Sequence, residues 1–267
     1  MARQPAVAGL FYNDDADILR SDVERLTPRA AQPDNVLGII APHAGYIYSG
    51  AVAGALYGRI RIPAAVIILG PNHHGIGAKV ALSPDNEWLT PLGAVPVNIR
   101  LARLIAGFVP EVRTDAAAHV REHSLEVQIP FLQVIRPDVT IVPLSLGFGD
   151  FERCRTLGEG LAMTIRQYGE EVLIVASSDM THYESAESAR VKDDLALREI
   201  LALNPEGLVQ VCRSKGITMC GVIPAAVMLV AALELGATGC RLVQYATSGD
   251  VTGDNRQVVA YAGVTVA

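Results

Sequence analysis

The chain has 267 residues, half of them hydrophobic and 19% charged, and a formal net charge of −6. That composition suits a large α/β core, and the acidic balance argues against nucleic-acid binding, which normally leaves a basic footprint. The longest lightly charged stretch, residues 221–233, contains Pro224 and falls short of the roughly 20 apolar residues that span a bilayer. Residues 1–12, MARQPAVAGLFY, have neither the apolar core nor the cleavage pattern of a signal peptide, so a cytoplasmic protein with no membrane partner is expected. Cys154, Cys212, Cys220 and Cys240 lie far apart without a C-x-x-C, which fits reduced thiols rather than a disulfide framework or a four-cysteine zinc site.

Taken in order, Asp14 is the expected N-cap of a first amphipathic helix with Ile18, Leu19, Val23 and Leu26 at helical spacing. Residues 36–50, VLGIIAPHAGYIYSG, are an uncharged strand that ends at Pro42 and delivers His43 to a strand-helix turn. The small residues 51–57 continue as a helix close against a sheet. Residues 64–70, AAVIILG, form a second buried strand followed by Pro-Asn-His73-His74-Gly. A β excursion comes next, with Trp88 expected in the core, and then a helix over residues 98–108. Residues 122–135, EHSLEVQIPFLQVI, are expected to form one helix kinked at Pro130, with His123 and Glu126 sharing a face.

A strand over 140–147 and a helix over 151–168 lead to residues 171–178, EVLIVASS, a third buried strand that ends in Asp179-Met-Thr-His182. Helices over 184–203 and from Asn204-Pro205 follow. Cys220 stands where the apolar helix over 222–235 opens, and two strands close the chain. Alternating strands and helices without a repeat or linker give one domain: a doubly wound, mostly parallel sheet flanked by helices.

In such sheets ligands bind outside the carboxyl ends of the strands. Three separate strands place His43, His73 with His74, and Asp179 with His182 at that edge, so a shared metal or catalytic site is expected. His119, in a polar segment, is expected on the surface. Two histidines plus an anion leave positions open for water or substrate. Asp179 as third ligand would suit non-haem iron(II), whereas Cys220 would also suit zinc or copper, and a helix start favours its thiolate. The Asp179-x-x-His182 pair suits a carboxylate orienting a general base. Tyr46, His74, Glu122 and Glu126 complete the expected pocket lining. No phosphate-binding glycine motif is present.

PAVAGLFY, IIAPHAGYIYSG, ILGPNHHG, EHSLEVQIPF, SSDMTH and TMCG, in that order across nearly the whole chain, resemble the Memo family. That family is similar in fold to the class III extradiol ring-cleavage dioxygenases of the LigB superfamily. The resemblance implies metal ligands at His43, His73 and Cys220, with Asp179 and His182 in the pocket and His182 where the dioxygenases keep a catalytic base. Ring-cleaving relatives use a glutamate as third ligand, and SKGITMCGVIP offers Cys220 instead. Animal Memo proteins are mediators of cell motility that engage phosphotyrosine peptides.

Three functions are expected in consequence. The first is an iron(II) redox enzyme, with copper or zinc as alternatives, acting on a small molecule with His182 as base and His123 in the pocket. The second is a regulatory protein that binds a small molecule or peptide in a vestigial dioxygenase-like pocket. The third is a zinc hydrolase in which Glu122 or Asp179 activates water. Composition does not choose between monomer and dimer.

Overall fold

The computed structural model describes residues 1–267. The chain opens with β1 (Ala2–Arg3), α1 (Ala16–Leu26), β2 (Gly38–Ala41), α2 (Tyr46–Arg59) and β3 (Ala65–Pro71). An excursion leads through β4 (Val80–Leu82), β5 (Glu87–Thr90) and β6 (Gly93–Pro96), then α3 (Ile99–Phe108) and β7 (Arg113–Thr114). A 3₁₀ turn (Glu126–Gln128) leads into α4 (Ile129–Ile135), β8 (Thr140–Leu146), α5 (Phe151–Tyr168), β9 (Val172–Ser177) and β10 (His182–Glu184). The last part holds α6 (Ala186–Leu201), α7 (Pro205–Lys215), α8 (Val222–Glu234), β11 (Cys240–Thr247), α9 (Gly249–Thr252) and β12 (Val258–Val266).

The main sheet runs β10-β12-β2-β9-β3-β8-β4-β7, with β11 paired to the other side of β12, while β1, β5 and β6 form a small separate sheet. Its centre, β2-β9-β3-β8, is parallel throughout; β12 and β4 join it antiparallel on either side, and the edge strand β7 runs parallel to β4. This is the expected α/β architecture. In β3, Ile67 and Leu69 enter one apolar layer and Val66 and Ile68 the other, so both faces are covered and the strand reads as an unbroken hydrophobic run. The parallel registers Ala41↔Ser177 and Leu69↔Ala176 bring the ends of β2, β9 and β3 level. Helix α8 is buried on nearly every side, which explains its uniformly apolar sequence.

Local details differ from expectation where capping decides. Asp15, not Asp14, caps α1 by accepting from the N–H groups of Asp17 and Ile18, which turns Ile18 to solvent. Residues 122–135 are not one kinked helix. Residues 122–123 are irregular and 124–125 a turn, the 3₁₀ turn comes next, and Pro130 lies in the first turn of α4, where its missing N–H is no loss. Glu184 ends a short strand, and α6 begins after the Ser185 cap. Trp88 is fully buried, its indole N–H donating to Ser83, as expected of a core residue.

His119, expected at the surface, is 1% exposed. Its Nε2 pairs with the Ala81 carbonyl at 3.1 Å, and its ring stands edge-on to Trp88. The reason is Arg3, whose buried guanidinium lies over Trp88 and donates to the carbonyls of His119 and Glu122, drawing the polar segment against the core. No helix is long and apolar enough to cross a membrane.

Candidate metal centre

Adjacent parallel strands supply the site. His43 follows β2, His73 follows β3, and Asp179 and His182 follow β9, the strand between them. His123 comes from the turn before α4 and Cys220 from the residues that open α8. These six side chains border one cavity of about 470 Å³, together with Phe11, Thr218, Tyr183 and Val259.

The nitrogens of His43, His73 and His123 offered as ligands all lie within 4.8 Å of one another, forming a cluster able to hold a metal. The His73 and His123 rings stack at 4.7 Å, and His43 stands edge-on to both. Cys220 adjoins this triad: its Sγ is 3.3 Å from Nε2 of His43. The cluster of three imidazoles therefore includes His123, which the sequence reading assigned a catalytic place in the pocket and not a metal-ligand role.

Hydrogen bonding orients the rings. The Ser177 hydroxyl donates to the Ser124 carbonyl at 2.6 Å and accepts from the Gln128 amide at 2.8 Å. Gln128 is itself oriented, because its Oε1 accepts from Tyr57 and its Nε2 also reaches the Pro42 carbonyl. With its own proton committed, Ser177 can only accept from Nδ1 of His43, 2.8 Å away, and Nε2 of His43 carries a lone pair toward the cavity.

Nδ1 of His73 lies 2.9 Å from the Glu122 carboxylate, and Nδ1 of His182 lies 3.0 Å from the Thr218 carbonyl. Both contacts require N–H at Nδ1, so the neutral tautomer they select has its lone pair on Nε2. Burial, reinforced by His123 and His73, holds His43 well below the usual histidine range, and burial pushes His123 down to about 4. His43 and His123 are thus neutral imidazole, the protonation state metals take.

Asp179 accepts from the backbone N–H of His43 at 2.8 Å, and burial raises its carboxyl to about 6 despite that bond and His182. Burial and the charge of Asp179 push the Cys220 thiol up, overriding the helix-start effect expected for it, although the N–H of Asp179 points at its sulfur from 3.2 Å. Glu122 has no solvent exposure. Burial raises its carboxyl, but the bond and charge of His73 and the N–H groups of Ser124 and His73 outweigh burial and hold it below the ordinary range.

None of the four expected pocket residues lines the cavity, and Glu122 is fully buried with its carboxylate engaged by His73. Tyr46 is buried with its hydroxyl on the Val127 carbonyl. His74 turns outward, Nε2 to the Arg121 carbonyl. Glu126 faces away from the imidazoles because no helix runs through residues 122–126. Its carboxylate binds Arg3 at 2.6 Å, the N–H groups of Ala6 and Val7, and the Tyr12 hydroxyl.

Sequence reasoning missed Ser177, Gln128 and Phe11 as contributors, yet each lies inside one of the six family motifs: SSDMTH, EHSLEVQIPF and PAVAGLFY. A smaller hollow of about 290 Å³ beside Arg61 and Glu171 contains no imidazole, and those two charges pair with each other.

Fold and site together define an α/β protein with a histidine-rich cavity at the carboxyl edge of its sheet. The family model described as Memo-like protein matches residues 3–265, and the chain belongs to the Memo family. It is 40% identical to a MEMO1 family protein of Pyrobaculum aerophilum and 42% identical to one of Aquifex aeolicus, in each case over 98% of both chains. The crystal structure of an uncharacterized Escherichia coli K12 protein is similar in fold, with a TM-score of 0.57 at 14% identity, over 85% of this chain and 98% of that one.

Proposed function

We propose that this chain is a metal-dependent redox protein acting on a small molecule, with iron(II) as the metal and copper or zinc as the alternatives. The observation that carries the reading is the orientation of His43 and His73, each with Nδ1–H engaged by protein and Nε2 facing a common cavity. Such outer hydrogen bonds are the usual companions of metal-ligating histidines. In this reading His43 and His73 hold the metal, with His123 or Cys220 completing the set. Iron(II), when bound, supplies one-electron chemistry at a centre with positions left for other ligands.

The chain's own groups do the rest. His182, with Nδ1–H engaged at Thr218, keeps Nε2 as a base that takes a proton from a hydroxyl in the cavity. Asp179 has one oxygen on the His43 and Ala44 N–H groups, while Oδ2, 4.0 Å from Nε2 of His43, remains to accept from a ligand. Phe11, packed 4.7 Å from His123, supplies an apolar wall that excludes water. The kinship with extradiol dioxygenases belongs to this reading.

The hydrolase reading is weaker at Glu122, because its carboxylate is fully buried and engaged by His73 and Ser124. Its water-activating role would fall to Asp179. The test is the metal content of protein purified without oxygen and without a histidine tag, beside His43→Ala and Cys220→Ser. About one iron or copper per chain, lost in His43→Ala, supports the proposal. Chains equally empty after anaerobic loading overturn it and leave a pocket for a small molecule or peptide.

A further inference from the structure

Residues 178–182, between β9 and β10, hold Asp179 and His182, and every backbone N–H in this stretch donates to a different part of the molecule. Ser178 donates to the Ala41 carbonyl and Met180 to the Ala260 carbonyl, at 2.9 and 2.8 Å. Asp179 donates to Sγ of Cys220 and His182 to the Thr218 hydroxyl, at 3.2 and 2.8 Å. The remaining N–H, that of Thr181, goes to Oδ1 of Asp193 at 3.0 Å, and the Thr181 hydroxyl donates to the same oxygen at 2.7 Å.

Asp193 lies on α6 with no solvent exposure. Its other oxygen accepts from the Tyr245 hydroxyl of β11 at 2.8 Å. No cation pairs with it: the nearby Arg190 lies over the Tyr245 ring and bridges to Asp194. A buried carboxylate without a counter-ion is unfavourable by several kcal/mol unless hydrogen bonds replace its hydration. Here those bonds are spent on one residue of the loop and on the tyrosine that braces it.

We propose that Asp193 is a positioning residue of the site, setting residues 178–182 and through them Asp179 and His182, although it touches neither. The proposal rests on reading those two as site residues. The loop geometry itself needs no metal. Cys220 reports on that geometry, because Asp179 donates to its sulfur and the N–H of Gly221 donates to the Ser178 hydroxyl at 2.9 Å.

The experiment is the alkylation rate of Cys220 by iodoacetamide in the full, chelator-treated chain, resolved by mass spectrometry. Cys240, also half-buried but on β11 away from the cavity, is the internal control. Asp193→Ala is expected to accelerate Cys220 by about tenfold or more and Cys240 by less than about twofold, the signature of local rather than global opening. Asp193→Asn is the rescue. Its carbonyl accepts both Thr181 bonds and its amide donates to a reversed Tyr245 hydroxyl, so its rate stays within about twofold of wild type.

If Asp193→Ala does not fold, Thr181→Val and Tyr245→Phe each remove one bond and carry the same comparison. Equal acceleration at both cysteines, or none in a folded variant, overturns the proposal. Selective acceleration in a chain that never binds metal supports it while removing the metal reading.

Discussion

Ser177 stands with its hydroxyl oxygen 2.8 Å from Nδ1 of His43, and its own proton is already given to Ser124. The imidazole therefore has a single tautomer, imposed by a serine at the end of the neighbouring strand. Removing that acceptor frees the ring to rotate or to move its proton to Nε2, which closes the lone pair to a metal. Ser177→Ala is expected to weaken zinc or iron(II) affinity by roughly 10–100-fold, as losses of such outer partners do. Competition titration against a chromophoric chelator reads it, and an unchanged affinity removes His43 Nε2 from the ligand set.

His182 makes a separable contribution, because its fixed nitrogen is bound to Thr218 and it lies outside the imidazole triad. His182→Ala is expected to keep the metal content of wild type and to abolish substrate-dependent oxygen uptake. Oxygen-electrode traces beside elemental analysis decide it. Retained uptake means that the proton goes elsewhere.

The N-terminal strap depends on one buried ion pair. Arg3 and Glu126 meet at 2.6 Å with side chains 4% and 0% exposed, and Glu126 also binds Ala6, Val7 and Tyr12, which flank the wall residue Phe11. Arg3→Ala strands the carboxylate and is expected to destabilise the fold by about 3–5 kcal/mol. Urea unfolding measures this. A change under about 1 kcal/mol would mean that the remaining donors to Glu126 suffice.

Stability should fall with acidification through the buried histidines. Burial and the charge of Arg3 lower His119 from 6.5 to about 4. Between those values the unfolded chain binds a proton that the folded chain does not, so stability rises with pH across that window and is lost as pH falls through it. At about 1.4 kcal/mol per pH unit the loss from His119 is at most about 3 kcal/mol. His43 and His123 act with the same sign. His119→Gln should flatten the pH 6.5–4 slope of unfolding free energy relative to wild type; parallel slopes would contradict the assignment.

Two glycines separate close packing from simple flexibility. A Cβ at Gly54 of α2 would meet the Leu26 carbonyl oxygen at 2.0 Å, whereas one at Gly107 of α3 meets nothing within 4 Å. Gly54→Ala is expected to destabilise by more than about 3 kcal/mol, since backbone must move. Gly107→Ala, in an open helical position, should stabilise by roughly 0.5–1 kcal/mol. Thermal melts of both variants test the pair together.

By itself the sequence determined the buried strands and the polar residues at their carboxyl ends. Runs such as AAVIILG are apolar on both faces because helices cover both sides of the sheet, and the residues just beyond them, His43, His73, Asp179 and His182, stand at one edge for that reason. The family was legible too, since three of its six motifs coincide with those strand ends.

Tertiary structure alone decided residues 115–126, which have no periodicity and take their shape from Arg3, more than a hundred residues away in the chain. That contact buried His119, turned Glu126 toward the N-terminal strap, left His123 at the cavity and buried Glu122 against His73. Similar polar residues, spaced three or four apart, went to opposite fates because a distant guanidinium, not helical phase, set their directions.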